Sequence, residues 1–185
     1  VQRVQPSKQA SAEPQIDMTE EDLVSFRRKV YLRIMSSASY EECAHKLSQF
    51  MRGHKGQEGE LCNMILECCS QERSFLRYYG LLGQQFCFLD KVYVERFEDA
   101  FATHYATIHR FDLHKIRNIG SFYAFLLCAD ALPWSILGIV QLSEEETTSS
   151  SRIFLSYLFK ELAGTLTVAK LRERFKDERL SPFVT

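Results

Sequence analysis

Apolar residues recur along most of the chain at intervals of three and four, the period that lays a stripe on one face of an α-helix. The clearest stretch runs from Glu60 to Leu89. There Leu61, Met64, Ile65 and Cys68 form one stripe, and Phe75, Tyr78, Tyr79, Leu82 and Phe86 a second, across a polar corner at Ser70 to Ser74. The spacing predicts two amphipathic helices, around which the rest of the chain is organised. A fully buried Leu, Ile or Phe side chain gains roughly 1.5–3 kcal/mol over an exposed one, so both stripes call for packing partners.

The flanking segments supply such partners. Val1 to Asp17 is rich in Gln, Ser, Ala and Pro and has no period, so residues 1–18 read as a flexible linker or tail, with the helical domain over 19–185. Thr19 is placed to cap a helix whose first turn carries Glu20, Glu21 and Asp22 and whose stripe is Leu23, Phe26, Val30 and Ile34. Ser39 and Glu42 match a capping box ahead of Tyr40, Cys43, Leu47 and Phe50, and Arg52 to Gly59 breaks that helix.

Beyond the central pair, Phe97, Phe101, His104, Tyr105 and Ile108 share one side, and Asp112 is placed to cap a helix with Ile116, Ile119, Tyr123, Leu126 and Leu127 inward. Pro133 suits the first position of a short helix, where its missing N–H costs nothing. A polar loop, Leu142 to Ser151, precedes stripes at Phe154, Tyr157, Leu158 and Leu162 and at Val168, Leu171 and Phe175. Successive helical hairpins, each too small to bury its own stripe, predict an all-α repeat stack, with an irregular helical bundle as the alternative.

Composition narrows the function. With 45% hydrophobic residues in 185, a sizeable core is within reach. No apolar run approaches the roughly 18 residues of a membrane span. Lysine plus arginine number 23 against 24 acidic residues, a balance that disfavours a dedicated nucleic-acid binder. Six cysteines without CxxC spacing read as buried thiols of a reducing compartment, nucleus or cytosol. The opening VQRVQPSKQA lacks the zones of a signal peptide, and the chain looks like a piece of something longer.

The chemistry-bearing residues form no reactive constellation. His45, His54, His104, His109 and His114 make no HExxH and no zinc pairing with cysteine, Ser149 to Ser151 lack a Gly-x-Ser-x-Gly elbow, and no cofactor motif is present. Arg27, Arg28 and Lys29 read as part of a solvated mixed-charge face, and Trp134 as a core anchor.

Five segments carry more than a pattern: MSSASYEECAHKL, ELCNMILECCSQERSFLRYYGLL, TIHRFDLHKIRNI, DALPWSIL and LSEEETTSSSRIF. Together they resemble the MA-three domain of the nucampholin family, pre-mRNA-splicing factors of the complexed-with-Cef group. SEEETTSSSRIF separates this family from the MA-three domains of translation factors. The resemblance implies stacked HEAT-like hairpins, an MA-three type α-solenoid, acting in the nucleus as a protein-docking module of the spliceosome around catalytic activation. Spliceosomal core proteins are the implied partners. An RNA helicase is implied only through an upstream middle domain that these residues do not include. The rival reading is a translation-type module that binds a DEAD-box initiation helicase.

The contact surface is expected in the polar loop, at Glu144, Glu145, Glu146, Thr147, Thr148 and Arg152, because so polar a segment gains little by burial. Plain capping of the following helix is the competing account, and the loop hydroxyls are also candidate phosphate acceptors.

Overall fold

The computed structural model describes residues 18–140, 142, 143, 145 and 147–176. Among them are eight α-helices and no strand: α1 Glu20–Ser36, α2 Tyr40–Met51, α3 Glu58–Gln71, α4 Arg77–Leu89, α5 Lys91–Thr107, α6 Leu113–Cys128, α7 Ser149–Thr165 and α8 Val168–Phe175. Short 3₁₀ turns follow α5, at Ile108–Arg110, and α6, at Trp134–Ile139. The expected tail over 1–17 and the residues past 176 lie outside the described residues.

Local chemistry sets most helix starts. The side-chain oxygens of Thr19, Ser39, Asp112, Thr148 and Thr167 each accept the backbone N–H three residues on, and Asp90 accepts that of Val92. The box at Ser39 is displaced from the expected reciprocal form. Ser39 accepts from Glu42 N–H at 3.2 Å, but the Glu42 carboxylate reaches back to Ala38 N–H at 3.0 Å instead of to the Ser39 amide. Pro133 likewise sits one residue before its expected place, as the cap of a 3₁₀ turn that begins at Trp134.

The helices stack as antiparallel hairpins in two layers, α1, α3 and α5 in one and α2, α4 and α6 in the other, and α7 lies along α6. This is the HEAT-like all-α arrangement. Of the stripe residues, Leu61, Ile65, Tyr79, Leu82, Phe101, Tyr123 and Leu158 are buried, and Phe75, which precedes α4, is half-buried. At the C-terminal end the stripe holds only in part, since Leu171 and Phe175 are partly buried against the core whereas Val168 is 65% exposed and no residue of α8 is fully buried.

The helix at the centre is α6, not the α3–α4 pair. Its buried residues run from Ile116 to Leu127 on nearly every side, because α3, α4 and α7 all pack on it. Two glycines let α4 come close: a Cβ on Gly80 would lie 2.7 Å from the Phe125 ring and one on Gly83 2.8 Å from that of Phe122. Phe101 meets Tyr123 edge-on at 4.9 Å and Phe154 at 6.0 Å, tying α5, α6 and α7 through one aromatic cluster.

Polar groups of α6 also fix the corner between α3 and α4. Asn118 Nδ2 donates to the Cys69 and Glu72 carbonyls at 3.1 and 2.6 Å, and Arg117 donates to that of Arg73 at 2.8 Å. These are carbonyls at and just past the end of α3, where intrahelical partners run out. Asn118→Ala is therefore expected to cost about 1–3 kcal/mol, the range for stranding buried polar groups. Urea denaturation measures it, and a loss below about 0.5 kcal/mol would mean that solvent replaces the amide.

Candidate interaction surfaces

The segment from Leu142 to Arg152 begins as a single turn. Thr147 donates to the Ser143 carbonyl through both its N–H and Oγ1, at 3.2 and 3.0 Å. Thr148 then caps α7: its Oγ1 accepts Ser151 N–H at 3.1 Å, and the buried Ser151 hydroxyl donates back to the Thr148 carbonyl at 2.9 Å. So Thr147 and Thr148 are engaged within the chain, in keeping with the capping account. Glu145 and Arg152 are exposed, while Glu144 and Glu146 lie outside the described residues.

Other surfaces carry apolar groups in solvent. Along α1, Val24, Tyr31 and Met35 are exposed in a line about a third of a turn around the helix from Phe26, Val30 and Ile34, giving that helix a second apolar stripe. At the end of α4, Phe88 and Leu89 are also exposed. The basic run is solvated as expected, but its ion pair is Arg27 with Glu60 of α3 at 3.1 Å, not with the acids of its own first turn.

Sequence reasoning did not foresee a groove of about 400 Å³ between the end of α6 and α8, lined by Leu127, Cys128, Asp130, Trp134, Leu166 and Arg174. Trp134 is buried, donating Nε1–H to the Leu127 carbonyl at 3.1 Å. The groove joins residues 44 apart at Asp130 and Arg174, a separation at which no local spacing carries a signal.

Burial disfavours the thiolate form of the cysteines inside the core. It pushes Cys68 and Cys87 up to about 12 and Cys62 and Cys69 further, so all four are protonated at neutral pH. Desolvation lowers His104, whose Nδ1 lies 2.7 Å from the Ala100 carbonyl. Among the described residues no three His, Cys, Asp or Glu side chains converge in a way that would hold a metal ion. No helix among them is long and apolar enough to cross a membrane.

The profile of the MA3 domain matches residues 26–133, more than half of the chain. The chain belongs to the MA3 domain family. This MA3 domain is 52% identical over 167 residues, 90% of its length, to a protein of Mus musculus named pre-mRNA-splicing factor CWC22 homolog. It is 48% identical over 173 residues to the Drosophila melanogaster protein of that name and 49% identical over 166 residues to pre-mRNA-splicing factor cwc22 of Emericella nidulans. The two alignments cover 94% and 90% of the MA3 chain. The chain spans 18% of the mouse protein, 13% of the fly protein and 19% of the fungal one.

Proposed function

We propose that this MA3 domain is a non-enzymatic protein-docking module of a pre-mRNA-splicing factor, working in the nucleus on core proteins of the spliceosome around its catalytic activation. One observation carries the reading. The family profile ends at residue 133, whereas the resemblance to proteins named as splicing factors extends over 90% of the chain. An alignment of 167 residues in a chain of 185 has room to omit only its ends, so it runs through the 142–152 segment and α7. The alignment to proteins named as splicing factors thus extends over a segment that the family profile does not reach.

Within that segment Glu145 and Arg152 are exposed and offer charge to a partner, of the kind that sets specificity at an interface rim. Thr147 and Thr148 hold the turn and the start of α7 on either side through their bonds to Ser143 and Ser151. The apolar stripe of Val24, Tyr31 and Met35 offers contact area elsewhere on the stack.

The test reverses Glu144, Glu145 and Glu146 to lysine and leaves Thr147 to Ser151 intact, so that the α7 cap survives. The expected result is an unchanged melting temperature with weaker recovery of spliceosomal proteins from nuclear extract. Unchanged recovery would move the contact surface off this segment. Preferential recovery of a DEAD-box initiation helicase from cytoplasmic extract would favour the translation-type reading.

A further inference from the structure

The corner between α3 and α4 meets one side of α6 in a patch of cations and aromatic rings. Arg73, Phe75 and Arg77 alternate along the corner, and Arg117, Ser121 and Phe125 recur every four residues along α6. The two rows touch at both ends. The Arg117 guanidinium donates to the Arg73 carbonyl at 2.8 Å, and that of Arg77 lies 5.4 Å from the centre of the Phe125 ring, within cation–π range. Phe75 and Phe125, both half-buried, lie 6.3 Å apart.

The corner is held in place from within the fold. Asn118 ties down the Cys69 and Glu72 carbonyls, which fixes the path by which the chain leaves α3. Its positive charge nevertheless has no counterpart: among the described residues no carboxylate comes within ion-pair distance of Arg73, Arg77 or Arg117. Glu72, the adjoining acid, accepts from the Tyr79 hydroxyl at 2.9 Å instead. Arg73 and Arg77 are exposed, and each guanidinium offers a planar fork of N–H donors that matches a carboxylate. Leu76, between Phe75 and Arg77, is 43% exposed and adds apolar surface.

We propose that this corner is a docking site for an acidic segment of a partner protein, whose carboxylates pair with Arg73 and Arg117 at one end and with Arg77 at the other, with an apolar side chain between them against Phe75 and Leu76. The spacing sets the segment. Arg117 and Phe125 are about two helical turns apart, roughly 12 Å along α6, a distance that an extended chain spans in about four residues. Cations already positioned by Phe125 and by the Arg73 carbonyl lose little freedom when a partner binds. The same patch suits a nucleic acid less well. The charges of the chain nearly balance, at a net −1, and Phe125 packs on Gly80 and already takes the Arg77 guanidinium, which leaves little of the ring for a base to stack on. The corner is separate from the 142–152 segment, and the test below does not involve that segment, so the two readings fail separately.

The experiment titrates the end-blocked peptide Glu-Glu-Leu-Leu-Glu-Glu into the isotope-labelled full chain of 185 residues at physiological ionic strength, read by NMR shifts of backbone amides and arginine Nε–H groups. Expected are saturable shifts concentrated at residues 72–77 and 117–125, with the peptide Gln-Gln-Leu-Leu-Gln-Gln binding at least about tenfold more weakly. Arg73→Gln combined with Arg77→Gln should weaken binding of the acidic peptide about tenfold or more. Arg28→Gln combined with Lys29→Gln, the same change of charge at exposed positions of α1, should alter it less than about twofold. Comparing the two peptides on the wild-type chain needs no variant and so does not depend on any variant folding. The proposal is overturned if the acidic peptide gives no saturable shifts or shifts away from the corner, if the glutamine peptide binds as well, or if the α1 pair costs as much as the corner pair. Tighter binding of single-stranded oligouridylate than of the acidic peptide at the same residues would overturn it in favour of a nucleic-acid site.

Discussion

Tyr123→Ala is expected to remove about 3–5 kcal/mol of unfolding free energy, the range for truncating a large aromatic side chain in a packed core. Tyr123 is fully buried at the crossing of α5, α6 and α7, with its ring edge-on to Phe101 at 4.9 Å and to Phe122 at 5.5 Å. Its hydroxyl donates to the Phe97 carbonyl at 3.0 Å, which satisfies the one polar atom of the side chain. Burial raises its ionisation far above the usual tyrosine range, so it remains neutral and a donor across the accessible pH range. Tyr123→Phe keeps the ring and loses only this bond, and should cost about 1 kcal/mol. Urea denaturation of the two variants separates packing from hydrogen bonding. Similar losses in both would place the stabilisation in the hydroxyl and contradict the packing account.

Ile65→Ala tests the opposite end of the core, where α3 passes between α1 and α5. Ile65 is fully buried, with Leu61, Cys62, Leu66 and Cys69 buried beside it on the same helix. Deleting its branched side chain should cost about 2–5 kcal/mol through lost burial and the cavity left behind. Glu145→Ala, at an exposed position outside any helix, should change stability by less than about 0.5 kcal/mol. The expected observation is a clear fall in the denaturant midpoint for the first variant and none for the second. Small and equal changes would mean that the α3 stripe does not face a packed interior.

The sequence by itself determined the helices and most of their inward faces, because both are local matters. A cap such as Thr19 or Asp112 satisfies an amide three residues away, and a stripe such as Phe26, Val30 and Ile34 spans two turns. Its five resembling segments also led to the MA3 family, which the profile over residues 26–133 establishes. Where pattern and structure part, the cause is a distant neighbour. Cys68 and Phe86 find apolar surroundings and are buried, whereas Val168, equally well placed in its stripe, has little to pack against and stays 65% exposed.

Only the tertiary structure decided which helix is central and which surfaces remain open. The α3–α4 pair has the clearest stripes, but α6 is enclosed by three other helices, and no period along its own sequence records how many neighbours arrive. Asn118 and Glu72 are 46 positions apart, and Asp130 and Arg174 44. Such pairs leave no trace in local spacing, because the chain between them folds back before they meet. The Asp130 groove therefore came from the packing alone, while the charged 142–152 segment was legible beforehand from its polarity.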